Sequence, residues 1–250
     1  ECLYSAQGDI ELIVRNAERE KHILEPARDY RQKKNAVWGI NARNLEQNFA
    51  LNMLLDPAVE FVSMIGVAGT GKTLLALAAG LVQSMENKRY REIVMTRETI
   101  SVGEDIGFLP GTEEEKMDPW LGAINDNIEA LHLNDENPSG SILYVKERAN
   151  IQFKALNYIR GRSFQKSLIL IDESQNLTPH QMKAIITRAG EGSKVVCLGN
   201  LAQIDTPYLS PTSSGLTYMT ERFKGFVYGG SVKLNGVPRS LLAEYAETWL

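Results

Sequence analysis

Cysteine is nearly absent from this chain: Cys2 and Cys197 are the two among 250 residues. That count excludes a disulfide framework and a cysteine-based metal knuckle. Cys197 lies in the apolar run KVVCLG, where a buried, inert thiol is the expectation. Long apolar runs are missing as well. None reaches the ~18 residues that would suggest a membrane span, and the first residues show no basic-then-apolar leader of signal-peptide type. The expected setting is therefore the cytoplasm, with no membrane contact. An excess of positive charge is the third absence. The net charge of −4 rules out a global basic footprint for nucleic acid, so any such binding must come from a local patch or an assembly. What remains is ordinary for one large soluble domain: 43% hydrophobic and 23% charged residues.

The first forty residues differ from the rest. CLYSAQGDIELIV alternates like a short hairpin, and a charge-dense stretch follows. Between Arg15 and Lys34 there are seven Lys and Arg against four acids, which reads as a solvated connector. Residues 1–40 are thus expected to be an N-terminal linker with short strands, and 41–250 the main domain. From Glu60 onward, apolar runs at 60–66, 91–96, 167–172, 194–200 and 231–236 predict strands. Helical patterns fall at 71–86, 118–133, 178–189 and 240–249. This alternation predicts an α/β domain, a mainly parallel sheet with helices on both faces. Thr178, Pro179 and Gln181 form a helix-start signal with a capping box.

GVAGTGKT, residues 66–73, matches G-x-x-x-x-G-K-[ST] and sits between a predicted strand and a predicted helix, the context that motif requires. Gly66, Val67, Ala68, Gly69, Thr70 and Gly71 would wrap backbone N–H groups around phosphate oxygens, aided by the start of the following helix. Lys72 supplies a formal charge for the β- and γ-phosphates of ATP, and the Thr73 hydroxyl is a ligand for Mg²⁺.

SLILIDESQN, residues 167–176, runs from a buried strand straight into Asp172 and Glu173. Two adjacent carboxylates at a strand end are costly to bury unless a cation waits for them. In a phosphate-loop protein that cation is Mg²⁺, held by Asp172. Glu173 is then placed to accept a proton from the water that attacks the γ-phosphate.

Further segments carry a resemblance. DESQ (172–175) resembles the D-E-x-Q motif of superfamily 1 helicases, whose Gln helps couple the nucleotide site to the nucleic-acid path. GNLAQID (199–205) is similar to their sensor motif, which makes Gln203 the γ-phosphate reader; the pattern usually has Asp where this chain has Asn200. NLEQNFALNML (44–54) resembles the upstream Q-motif, with Gln47 as adenine reader. VPRSLLAEYA (237–246) resembles the later Arg-Ser motif, with Arg239 reaching the γ-phosphate.

A narrower match is TRETISVGEDIGFLPGTEEEKMDPWLGAINDNIEAL (96–131), which resembles the signature block of the PhoH family, with YIRGRSF (158–164) as a second family segment. The likeness covers roughly residues 37–250. It implies a single RecA-like P-loop NTPase domain that binds and hydrolyses ATP, an RNA-dependent helicase-type motor acting as a ring, possible as a hexamer, on single-stranded RNA. Relatives of one branch carry a PIN ribonuclease domain upstream. Only 65 residues precede Gly66, too few for a nuclease, so this chain is expected to be the ATPase half of such a fusion. Thr96 and Arg97 become candidate RNA or subunit contacts, each equally readable as an ordinary strand-end residue. One phosphate-loop domain, where helicases use two, requires a neighbour's arginine to complete the site. Arg160, Arg162 and Arg188 are candidates for that role or for surface ion pairs. The alternative function is a nucleotide-switched assembly module that binds a protein partner without translocation.

Overall fold

The structure, a computed structural model, describes residues 4–7, 10–16, 22–98, 122, 126, 144–159, 161–236 and 245. Three short strands come first: β1 (Tyr4–Gln7), β2 (Ile10–Asn16) and β3 (His22–Pro26) form an antiparallel sheet in that order. The hairpin expected from the alternating pattern thus has a third strand, drawn from the charge-dense stretch read as a connector. Charge density masked it, because on a two-sided exposed strand polar side chains need not alternate with apolar ones. Glu11 on β2 ties this small sheet to the main body, accepting from Asn48 Nδ2 at 2.8 Å and pairing with Arg31 at 2.7 Å. The main core also recruits Tyr30 and Val37 from the same expected linker.

The main sheet has six strands in the order β6-β5-β7-β8-β4-β9, and every pairing in it is parallel. These are β4 (Phe61–Gly66), β5 (Glu92–Thr96), β6 (Ile151–Phe153), β7 (Ser167–Ile171), β8 (Lys194–Gly199) and β9 (Gly229–Leu234). Five match the apolar runs; β6 has no such run and escaped the sequence reading.

Side-chain alternation along these strands sorts the core into two layers. Val62, Met64, Ile93, Met95, Leu168 and Leu170 face α1 (Leu45–Leu55) and α2 (Lys72–Leu81). Phe61, Val94, Ile169, Ile171, Val195 and Cys197 face α3 (Pro179–Ile186) and α4 (Gly215–Arg222). This is the RecA-like α/β arrangement, with helices on both faces and one strand, β8, between the phosphate-loop strand β4 and the acid-bearing strand β7. Cys197 is fully buried, and burial pushes its thiol far above the ordinary range, so it is inert as expected.

The start of α3 follows the sequence signal: Gln181 N–H donates to Thr178 Oγ1 at 3.2 Å, and Thr178 N–H donates to Gln181 Oε1 at 2.8 Å. Helix α2 is shorter than its pattern and ends in a wider turn over Val82–Glu86. Helices α1 and α4 lie outside the four helical patterns read from the sequence. Seven of the eleven residues of α1 are buried, spread around the helix, so no polar face marks it. Its C-terminal carbonyls are satisfied by Lys194, a fully buried lysine whose Nζ donates to Met53 O (3.1 Å), Leu54 O (2.6 Å) and Asp56 O (2.8 Å). Burial lowers its pKa to about 7, against which these three acceptors favour the charged form. Lys194 thereby pins α1, whose first turn reaches the site below.

Candidate functional site

The phosphate loop leaves the carboxyl end of β4 and turns into α2. Gly69 (φ +81°) and Gly71 (φ +83°) occupy the left-handed region that side chains with a Cβ disfavour by ~1–2 kcal/mol. Gly71 is the residue from which α2 starts. The loop is closed by its own members: Lys72 Nζ donates to Gly66 O at 2.7 Å and Val67 O at 2.9 Å, and Thr70 Oγ1 donates to Val67 O at 2.9 Å. A bond also comes from outside the loop. Gln47, buried in the first turn of α1, donates from Nε2 to Thr70 O at 3.1 Å and accepts Arg43 N–H on Oε1 at 2.8 Å. Each end of that amide keeps one further hydrogen-bonding position.

Asp172 follows β7 directly, almost fully buried, its N–H bound to Thr96 O at 2.8 Å. Glu173 next to it has φ +46° and ψ +38°, a left-handed conformation that costs a non-glycine residue ~1–3 kcal/mol and must be held by its surroundings. Gln175 does much of the holding. Wholly buried, it donates from Nε2 to Glu173 Oε2 at 2.6 Å and to Gln203 O at 2.8 Å, and its Oε1 accepts Asn200 N–H at 3.1 Å. Ser174 Oγ donates to Leu198 O (2.7 Å), and Ser214 Oγ to Gln175 O (2.9 Å). Asn176 joins the loop beyond β8, accepting Asp205 N–H at 2.8 Å and Thr206 Oγ1 on its carbonyl at 3.0 Å. Gly199 is required here for close approach: a Cβ on it would lie 2.7 Å from Gln175 Oε1 and 2.5 Å from Leu216 Cδ2.

These two loops open on one cleft of about 810 Å³, which Gly69, Gly71, Lys72, Thr73, Asp172 and Glu173 all line. Its size falls within the range of small-molecule sites. The Thr73 hydroxyl and Asp172 carboxylate are oxygen donors on the same wall, the donor chemistry that suits Mg²⁺. Ala68 and Gln47 also line it. Gln203 does not: its side chain is exposed, and its backbone carbonyl is the part bound to Gln175. Arg239, Arg160 and most of the 96–131 block lie outside the described residues.

Two lining features had no part in the sequence reading. Residues 39–43 form a wall led by a tight turn in which Val37 and Ile40 exchange backbone bonds of 2.8 and 2.9 Å, with Trp38 (φ +49°) and Gly39 (φ +78°) between them. The Trp-Gly pair was the available signal. Asp126 also reaches the cleft; it lies within the 96–131 signature block but was not singled out there.

Comparisons with known proteins bear on the family of the chain. The family described as PhoH-like protein matches residues 39–238. The chain is similar to Protein PhoH2 of Bacillus subtilis (strain 168), 49% identical over 210 residues, covering 84% of this chain and 47% of that protein. It is 38% identical over 209 residues to Protein PhoH2 of Mycolicibacterium smegmatis, covering 83% and 46%. The chain spans about half the length of the curated relatives it matches. Among solved structures, Pif1 helicase from Candida albicans aligns at a TM-score of 0.37 and 15% identity, over 79% of this chain and 41% of that one. A score that low carries no weight.

Proposed function

The chain belongs to the PhoH-like family and is a P-loop NTPase, and from that premise we propose that it is an ATP-hydrolysing, RNA-dependent motor working as a homo-oligomer. The observation that carries the reading is the opening of the Lys72 loop and the Asp172–Glu173 pair onto one cleft. In this reading the backbone N–H groups of residues 67–71 and the Lys72 ammonium bind the phosphates, with Lys72 giving up its bonds to Gly66 O and Val67 O. Gln47 and the 39–43 wall receive the adenine. Thr73 and Asp172 hold Mg²⁺, which when bound supplies positive charge to the phosphate oxygens. Glu173 takes a proton from the attacking water, and Gln175 orients that carboxylate. Arg239 reads the γ-phosphate, and Gln203 contributes through its backbone carbonyl, which accepts from Gln175.

The RNA dependence is supported by the bridge from Glu173 through Gln175 to the backbone of Asn200 and Gln203. That bridge ties the proton acceptor to the loop beyond β8 at the same sheet edge. The oligomer, a ring with ATP at its subunit boundaries, follows in this reading from the likeness to helicase sites closed by two half-sites, the second of which a neighbouring copy would supply. The relatives' greater length is consistent with an upstream PIN ribonuclease domain in the full-length protein.

The test is ATP turnover with and without single-stranded RNA, alongside the native mass of the assembly. Stimulation by RNA in an oligomer is the expected result. Indifference to RNA would favour a nucleotide-switched assembly module, and a fully active monomer would overturn the ring.

A further inference from the structure

Charge is distributed unevenly along this acidic chain. Six of its 27 Lys and Arg fall within residues 144–166 (Lys146, Arg148, Lys154, Arg160, Arg162 and Lys166), with only Glu147 of its 31 acids. That stretch contains β6, an edge strand of the main sheet among the described residues. Arg148, Arg162 and Lys166 are exposed. Lys154 Nζ lies 5.3 Å from the centre of the Phe164 ring, and Lys146 Nζ lies 5.6 Å from that of Phe153. Tyr144, at the start of the helical turn before β6, is 59% exposed.

Four of these cations, Arg148, Lys154, Arg162 and Lys166, have no close ion-pair partner in the described part of the chain. Burial lowers the Lys154 pKa; the attraction of Glu92 opposes this, and the repulsion from Arg162 is the smallest of the three influences. Arg188, whose carbonyl accepts Phe164 N–H at 2.9 Å, has a buried Nε with no partner.

We propose that the β6 edge and the segment leading from it to the amino end of β7, carrying Arg148, Lys154, Arg162 and Lys166 with Tyr144, form a track for the sugar–phosphate backbone of single-stranded RNA. The inference rests on the RNA-dependent reading above. Four strand spacings separate β6 from β4, ~19 Å at ~4.8 Å each, and Lys166 stands at the amino end of β7, opposite the carboxyl end from which the phosphate loop leaves, so these cations cannot serve the chain's own phosphate loop. A clamp on a neighbour's γ-phosphate needs one fixed arginine. Several cations strung along an edge, with aromatic rings among them, instead match a repeating polyanion whose bases can stack.

The experiment titrates the full chain with a fluorescent 20-nucleotide oligouridine at several salt concentrations. The variants are Lys154→Gln/Arg162→Gln, a second pair Arg148→Gln/Lys166→Gln at exposed positions, and Tyr144→Ala. Each pair should weaken binding by about tenfold or more and flatten the salt slope by roughly 1.4, the share of two single-strand phosphate contacts. Tyr144→Ala should weaken binding by roughly 5- to 100-fold with the slope unchanged. If the wild type binds RNA and both folded pairs bind within about twofold of it, the track is wrong while the RNA-dependent reading stands. If the pairs keep RNA affinity but lose ATP turnover, the cations act on a neighbour's nucleotide and the track is again refuted. A wild type that binds no RNA removes the RNA reading and the track together.

Discussion

The phosphate loop after β4 is held by its own residues, whereas the acid loop after β7 is held by residues from elsewhere in the chain. In the first, the closing bonds of Lys72 and Thr70 span at most six positions, and Gln47 supplies a side-chain bond from outside. In the second, Ser174, Gln175 and Asn176 reach partners 24 to 39 positions away, on the end of β8, the loop after it and the start of α4. Both loops serve one cleft. The difference teaches that a backbone cradle for phosphate can be built locally, while a strained carboxylate has to be over-determined by its neighbours.

The hardest test of the locally built loop is Lys72→Ala. It removes the charge facing the β- and γ-phosphates, so hydrolysis should fall to background and nucleotide binding should weaken, as read by steady-state turnover and nucleotide titration. Near-normal turnover would end the phosphate-loop assignment. On the acid loop, Glu173→Gln should cut turnover by roughly 10²-fold or more with Mg²⁺–ATP binding nearly intact, and Asp172→Asn should weaken the metal-dependent part of binding. Indistinguishable profiles for the two would erase the division of roles between them.

A smaller effect separates the two kinds of support. Gln175→Ala leaves Glu173, Gln203 O and Asn200 N without their shared partner in a buried place. Thermal or denaturant unfolding should show a loss of about 1–3 kcal/mol, together with reduced turnover. Gln47→Ala removes one external bond from a loop that closes itself, so its cost in the same measurement should be about 1 kcal/mol. If Gln47→Ala proved the more damaging of the two, the contrast between the loops would be reversed.

Much of the site was legible in the linear sequence because its chemistry is written at fixed short spacings. The glycines at positions that need positive φ and the lysine that bonds back to its own loop lie within a few residues of one another, and the two acids ending a strand are adjacent to each other. Five of the six main-sheet strands were legible for a related reason: fully buried parallel strands read as apolar runs. Strand β6 did not, because an edge strand of three partly buried residues leaves no such run. Helix α1 did not, because burial around the helix erases the amphipathic period.

The sequence by itself determined the phosphate loop, the identity of the two acids and the alternation that makes a parallel α/β sheet. Tertiary structure alone decided that Gln175 spans Glu173 and the loop beyond β8, that Gln47 latches the phosphate loop, and that residues 39–43 and Asp126 reach the cleft. The reason is physical. Backbone conformation and strand burial follow from neighbours in the chain, but a hydrogen bond across tens of residues exists only after the strands have set which loops share an edge. Residue type shows that Gln175 can bridge; the order of β7 beside β8 decides what it bridges.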